Sequence, residues 1–138
     1  MRIIVSANVC LQYILLTPSP FHCLSCIDGW ALHGDTCYIF ESQNKLGFTA
    51  ALLHCRGLGE TAVLASASTP ELNNFLPIIM DDIATAWLGG FLVNQQWTWL
   101  DGSTFGTGAH GWAPNQPDLS ENACVATQNV RDTAAALI

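Results

Sequence analysis

The sequence predicts a single α+β domain, and three observations carry that prediction. Residues 49–58 place Ala50, Leu52, Leu53 and Leu58 at helical spacing. Ser68-Thr69-Pro70-Glu71 is a helix start, with Ser68 as N-cap, Glu71 three residues on, and a proline in the first turn. Beyond it the apolar runs shorten: Ala86-Trp87-Leu88, Trp97-Thr98-Trp99-Leu100 and Cys124-Val125-Ala126-Thr127 read as strands. Two helices followed by short strands is the order of an α+β domain.

The first 25 residues differ from the rest. Arg2 precedes an apolar run over residues 3–16, broken by Ser6, Asn8 and Gln12, and then by Thr17-Pro18-Ser19-Pro20. The run is too short to cross a bilayer, which takes about 20 apolar residues. A charged start, a short apolar stretch and Cys23-Leu24-Ser25 read as a secretory signal peptide over residues 1–25. Cleavage after Ser25 would begin the domain at Cys26, so that it covers residues 26–138. A signal anchor and a misassigned first exon are the alternatives.

The remaining elements follow in order. Asp28-Gly29-Trp30 and His33-Gly34-Asp35 read as turns, with a short strand over residues 36–40. The helix over 49–58 ends among Gly57 and Gly59, and Val63-Leu64-Ala65 is an apolar bridge. The second helix should run toward Leu76 and stop near Pro77.

Composition sets outer bounds. Half of the 138 residues are hydrophobic and 11% are charged, enough apolar surface for a core. Net charge is −7 with four Lys+Arg, which excludes a basic patch for nucleic acid and disfavours anchoring to an anionic membrane. Of six cysteines, removal of the leader leaves Cys26, Cys37, Cys55 and Cys124. In an oxidising, extracellular setting four cysteines allow three connectivities, and sequence alone does not choose among them. Cys26 and Cys37 are close enough to staple a hairpin, whereas Cys55 and Cys124 are far apart.

The candidate chemistry lies in two strings, Trp97-Thr98-Trp99-Leu100-Asp101-Gly102-Ser103 and Trp112-Ala113-Pro114-Asn115-Gln116-Pro117-Asp118. Gln116 and Asp118 put an amide oxygen and a carboxylate on either side of a proline, which is ligand chemistry for a hard cation such as calcium. The plain alternative for residues 114–118 is a surface turn, and for Trp87, Trp97, Trp99 and Trp112 it is core packing. Cys23, Cys26, His33 and Cys37 do not have the spacing of a common zinc knuckle. Ser103, His110 and Asp118 lack a Gly-x-Ser-x-Gly elbow, and no feature argues for an enzyme.

Several strings, in order, resemble the C-type lectin-like domain. Cys26-Ile27-Asp28-Gly29-Trp30 with Cys37-Tyr38 looks like that family's stapled N-terminal hairpin. The helix ending after Cys55, Leu64-Ala65-Ser66, and the capped helix match the segments that follow. Trp87-Leu88-Gly89-Gly90 looks like the core strand written Trp-Ile-Gly-Leu in the family. The two tryptophan strings and Cys124 complete the set, which covers residues 26–126.

The resemblance implies a C-type lectin-like fold with two helices, short antiparallel strands and a long loop region. It implies a secreted, calcium-dependent lectin favouring galactose-type sugars, because the Gln-Pro-Asp order is similar to that of galactose-type members. A cis peptide before Pro117 would turn the carbonyls of Gln116 and Asp118 to one side. Gln116, Asp118, Glu121 and Asn122 are the implied ligands for calcium and for two sugar hydroxyls, and Trp112 could line the sugar. The alternative is a calcium-independent, protein-binding lectin-like domain, or a truncated form that binds nothing. That alternative arises because the stretch after Cys124 holds neither the family's Trp-Asn-Asp strand nor its two further cysteines. The last core strand is therefore expected to be missing, leaving apolar surface. The cysteines that would pair with Cys55 and Cys124 are absent, so a bridge between those two and two unbridged thiols both stay open.

Overall fold

The computed structural model describes residues 1–14, 22–82, 84–103, 105, 112–117, 119–120, 123–128 and 136–137. Its elements are β1 (Arg2–Ala7), β2 (Cys10–Ile14), β3 (His22–Cys26), β4 (Ala31–His33), β5 (Thr36–Glu41), α1 (Phe48–Leu58), β6 (Val63–Leu64), α2 (Pro70–Ile79), β7 (Thr85–Val93), β8 (Gln96–Trp99), β9 (Cys124–Gln128) and β10 (Ala136–Leu137). The α+β class is as predicted, with both helices and the later strands present, and five strands precede α1, three of them within the first 26 residues. No described helix is long and apolar enough to cross a membrane.

Eight strands form the main sheet, in the order β10-β9-β7-β1-β5-β4, with β6 added to β1 and β8 to β7. β2 and β3 make a separate two-stranded sheet. β1 lies in the middle. It pairs antiparallel with β5, Val5 opposite Ile39, and parallel with β7, Ile3 opposite Trp87.

Side chains alternate across a strand, so β1 feeds both faces of the sheet. Ile3 and Val5 pack with Ala51 and Cys55 of α1 and with Leu64. Ile4 faces the other way, into a cluster with Tyr38, Leu76 of α2, Leu88, Trp99 and Val125. All three β1 residues are fully buried. A strand covered on both faces reads as an unbroken apolar run, which is how Ile3-Ile4-Val5 resembles the core of a leader. A mature chain beginning at Cys26 would lack β1 altogether, and β5 and β7 would need another strand between them.

Two disulfides tie this end of the chain together. Cys26–Cys37 staples the β4–β5 hairpin to the end of β3, and Cys10–Cys23 closes β2 on β3. The Cys23, Cys26 and Cys37 sulfurs lie within 4.8 Å of one another, but all three are spent in these bonds. Among the described residues, Cys55 and Cys124 form no disulfide.

One sequence expectation needs correction. Thr69 caps α2, not Ser68, because its Oγ1 accepts the Leu72 N–H at 3.2 Å. Pro70 occupies the first helical turn, which makes the residue before it the cap. The helix carries Pro77 within its last turn and ends at Ile79, near the expected stop. Proline lacks one donor, and with the helix ending two residues later little ladder is lost.

β7 makes close approaches on both sides. A Cβ on Gly89 would come within 2.5 Å of the Leu64 carbonyl, and one on Gly90 within 2.5 Å of Val125 Cγ2. Only glycine lets β7 run so near β6 and β9. A two-residue turn at Asn94 (φ 49°) and Gln95 (φ 63°) then reverses the chain into β8.

The buried position of β1 has a direct consequence for stability. Ile4→Ala should cost about 2–5 kcal/mol, as for other isoleucines removed from a packed core. Leu53→Ala, at a side chain 60% exposed on α1, should cost less than about 0.5 kcal/mol. Urea denaturation of the two variants checks this, and equal effects would place β1 outside the core.

Candidate functional site

The site begins where β8 ends. Leu100 N–H donates to the Gly89 carbonyl at 2.8 Å, and Gly102 N–H to the Trp99 carbonyl at 3.0 Å. The Asp101 carboxylate accepts the Ser103 N–H at 2.9 Å and also the Ser103 hydroxyl, closing the turn that launches the long loop. Partial burial works against the Asp101 charge. The hydrogen bonds from Ser103 and Ser66 outweigh that, and its pKa is lowered.

Aromatic rings brace the loop from below. Trp99 is buried and stacks on Phe105 at 4.2 Å between ring centres. Trp97 lies 5.8 Å from Phe105 and 5.3 Å from Trp112. Phe105 and Trp112 are 6.0 Å apart with nearly parallel rings. Offset and tilted ring pairs at these distances are attractive beyond their buried area. Trp112 is therefore an anchor of the loop, half-buried and packed against the core.

Gln116 follows from a tight turn. Its N–H donates to the Ala113 carbonyl at 3.0 Å, with Pro114 and Asn115 at the corners and Asn115 at φ 65°. Proline then a residue of positive φ is the pattern of a type II turn. The Gln116–Pro117 peptide is cis, in agreement with the expectation for this loop. Past the loop, Ala123 N–H donates to the Ser120 carbonyl at 3.1 Å, and Leu92 N–H to the Ala123 carbonyl at 2.9 Å. That pair returns the chain to the sheet, where Cys124 sits opposite Phe91.

Gln116 and Trp112 share one open cleft of about 300 Å³ with Trp87, Trp97, Ser120 and Cys124. The structure thus brings together the first predicted ligand and the predicted aromatic. Asp118, Glu121 and Asn122 lie outside the described residues, as does His110. Among the described residues, the one group of three metal-type ligands is the disulfide-bonded thiol set, and no carboxylate cluster accompanies it. The amide oxygen of Gln116 is chemically suited to calcium, and the carboxylates that would complete such a site fall on Asp118 and Glu121. Trp87 and Trp97 were not singled out by the sequence as site residues. Their signal was present as recurring tryptophans, but core packing explains the same pattern.

The two unbridged thiols differ. Cys55, on α1, is 1% exposed, and burial pushes its pKa up to about 11. Cys124 is half-buried, and desolvation raises its pKa as well.

The fold and this loop define a C-type lectin-like domain, and the chain carries one. No family model matches the chain. It is 33% identical over 93 residues to mouse asialoglycoprotein receptor 1, which covers 67% of this chain and 31% of that protein. It is 34% identical over 89 residues to mouse C-type lectin domain family 10 member A, covering 64% of this chain and 28% of that one. It is 30% identical over 100 residues to the galactose-specific lectin nattectin of Thalassophryne nattereri, covering 68% and 60% respectively. The chain thus spans under a third of the first two relatives' length. Among solved structures, a complex of SPL-1 with GlcNAc superposes with a TM-score of 0.66 at 23% identity, over 83% of this chain and 85% of that one. This last likeness shows the fold.

Two outcomes follow from the site's chemistry. The lowered pKa of Asp101 means that its ionised form stabilises the fold above the unfolded carboxylate pKa, about 3.9. That contribution is lost as pH falls through the lower folded value. Asp101→Asn should therefore lower the urea midpoint at pH 7, and the difference from wild type should shrink at pH 3. In native protein at pH 8, iodoacetamide should label Cys124 before Cys55, with both labelled in denaturant. Mass spectrometry of the peptides checks the order, and faster labelling of Cys55 would contradict the packing of α1.

Proposed function

We propose that this domain is a calcium-dependent lectin for galactose-type sugars, acting outside the cell. The observation that carries the reading is the placement of Gln116, which lies in the wall of a tryptophan-lined cleft two residues ahead of Asp118. Calcium takes six to eight oxygen ligands, some of which can be sugar hydroxyls. Gln116, Asp118, Glu121 and Asn122 would hold the ion and hydrogen-bond two neighbouring hydroxyls. The amide supplies both a donor and an acceptor, while a carboxylate only accepts. Their order along the loop therefore selects which hydroxyl donates. The name of nattectin, a galactose-specific lectin, supports the same sugar class. Trp112 anchors the loop and borders the ligand.

Retention on galactose resin tests this directly. The full chain should bind galactose resin, pass through mannose resin, and elute with a calcium chelator. Asp118→Ala should weaken galactose binding at least about tenfold, the effect of losing one charge-assisted contact. Retention that survives both the chelator and Asp118→Ala would overturn the calcium reading. Failure to bind either resin would favour a protein-binding or non-binding lectin-like domain.

A further inference from the structure

We infer that the cleft beside Gln116 is a second subsite, which takes an uncharged aromatic group attached to the bound sugar. The inference rests on the reading of the Gln116 loop as a sugar site. Three indoles from three places in the chain converge on this cleft: Trp87 on β7, Trp97 on β8 and Trp112 at the loop. The remaining described walls are Met1, Gln116, Ser120, Ala123, Cys124 and Ala126, with no Asp, Glu, Lys or Arg side chain among the described lining residues. At about 300 Å³ the cleft falls at the small end of the range for small-molecule sites.

The indoles differ in what they offer. Trp87 Nε1–H already donates to the Leu46 carbonyl at 2.9 Å, so Trp87 contributes ring surface alone. Trp97 Nε1–H is buried and has no acceptor among the described residues. Flat ring walls favour a flat apolar guest, since rings stack on rings. Gln116 belongs to both the cleft wall and the proposed sugar loop. A sugar held there has its substituent next to the cleft. The guest class is therefore an aryl aglycone of a galactoside.

The experiment compares methyl β-galactoside with phenyl β-galactoside by calorimetry, in calcium, on the full chain. The phenyl glycoside should bind about tenfold tighter, as expected for burial of one aromatic ring. Ala123→Leu narrows the cleft and leaves the residues Gln116 and Asp118 themselves unaltered. It should leave the methyl glycoside unchanged and abolish the phenyl advantage, with melting temperature confirming the fold. Equal affinity of the two glycosides for wild type, or an advantage that survives Ala123→Leu, would overturn the inference. If methyl β-galactoside does not bind, the loop reading fails separately. The cleft is then decided by phenol quenching of tryptophan fluorescence: quenching that Ala123→Leu removes supports it, and its absence in wild type overturns it.

Discussion

The pairing of β1 with both β5 and β7 is the constraint on which the rest of the structure depends. Without it the sheet divides between β5 and β7, and α1 and α2 lose the strand that each of them packs against. Ile3 and Val5 serve one face and Ile4 the other, so three successive residues hold the two hydrophobic clusters to one sheet. β6 also hangs on β1, through Val5 opposite Leu64. The first residue is fixed as well, since the Met1 ammonium donates to the Leu46 carbonyl at 3.0 Å and Met1 lines the cleft near Gln116. The N-terminal end is thereby coupled to the candidate site.

The site itself is built from the far edge of the same sheet. β7 carries Trp87 and comes close to β6 at Gly89 and to β9 at Gly90. β8 returns with Trp97 and Trp99, and these rings with Phe105 and Trp112 give the loop a rigid base. Binding residues on loops work when a firm scaffold sets their position. Here the firm part is aromatic stacking, and the candidate ligand Gln116 follows the turn after Trp112.

Much of this was legible in the sequence. The two helices, the strand around Trp87, the strand at residues 124–127 and the turns at Gly29 and Gly34 follow from periodicity, caps and turn residues. The cap of α2 was displaced by one residue because Ser68 and Thr69 offer the same hydroxyl, and only the position of Pro70 chooses between them. The Asn94-Gln95 turn was missed because it lacks the glycine that marks most two-residue hairpins. β1 is the deeper case. Ile3-Ile4-Val5 has no alternation to reveal a strand, since both of its faces are buried, and the same run suits the apolar stretch of a leader. Local pattern does not show the pairing of this run with β5 and β7, which lie far along the chain. Gln116 was singled out as a candidate because it and Asp118 flank Pro117, while the convergence of Trp87 and Trp97 on one cleft needed the sheet.

The most direct test of this account is native-state hydrogen exchange read by mass spectrometry on the chain as it is secreted or isolated. Amides of residues 3–7 should exchange as slowly as those of β7, since both strands sit inside the same sheet and open only with global unfolding. Rapid exchange across residues 3–7, with β7 still protected, would contradict the central place given to β1. So would an isolated, folded chain from which those residues had been removed.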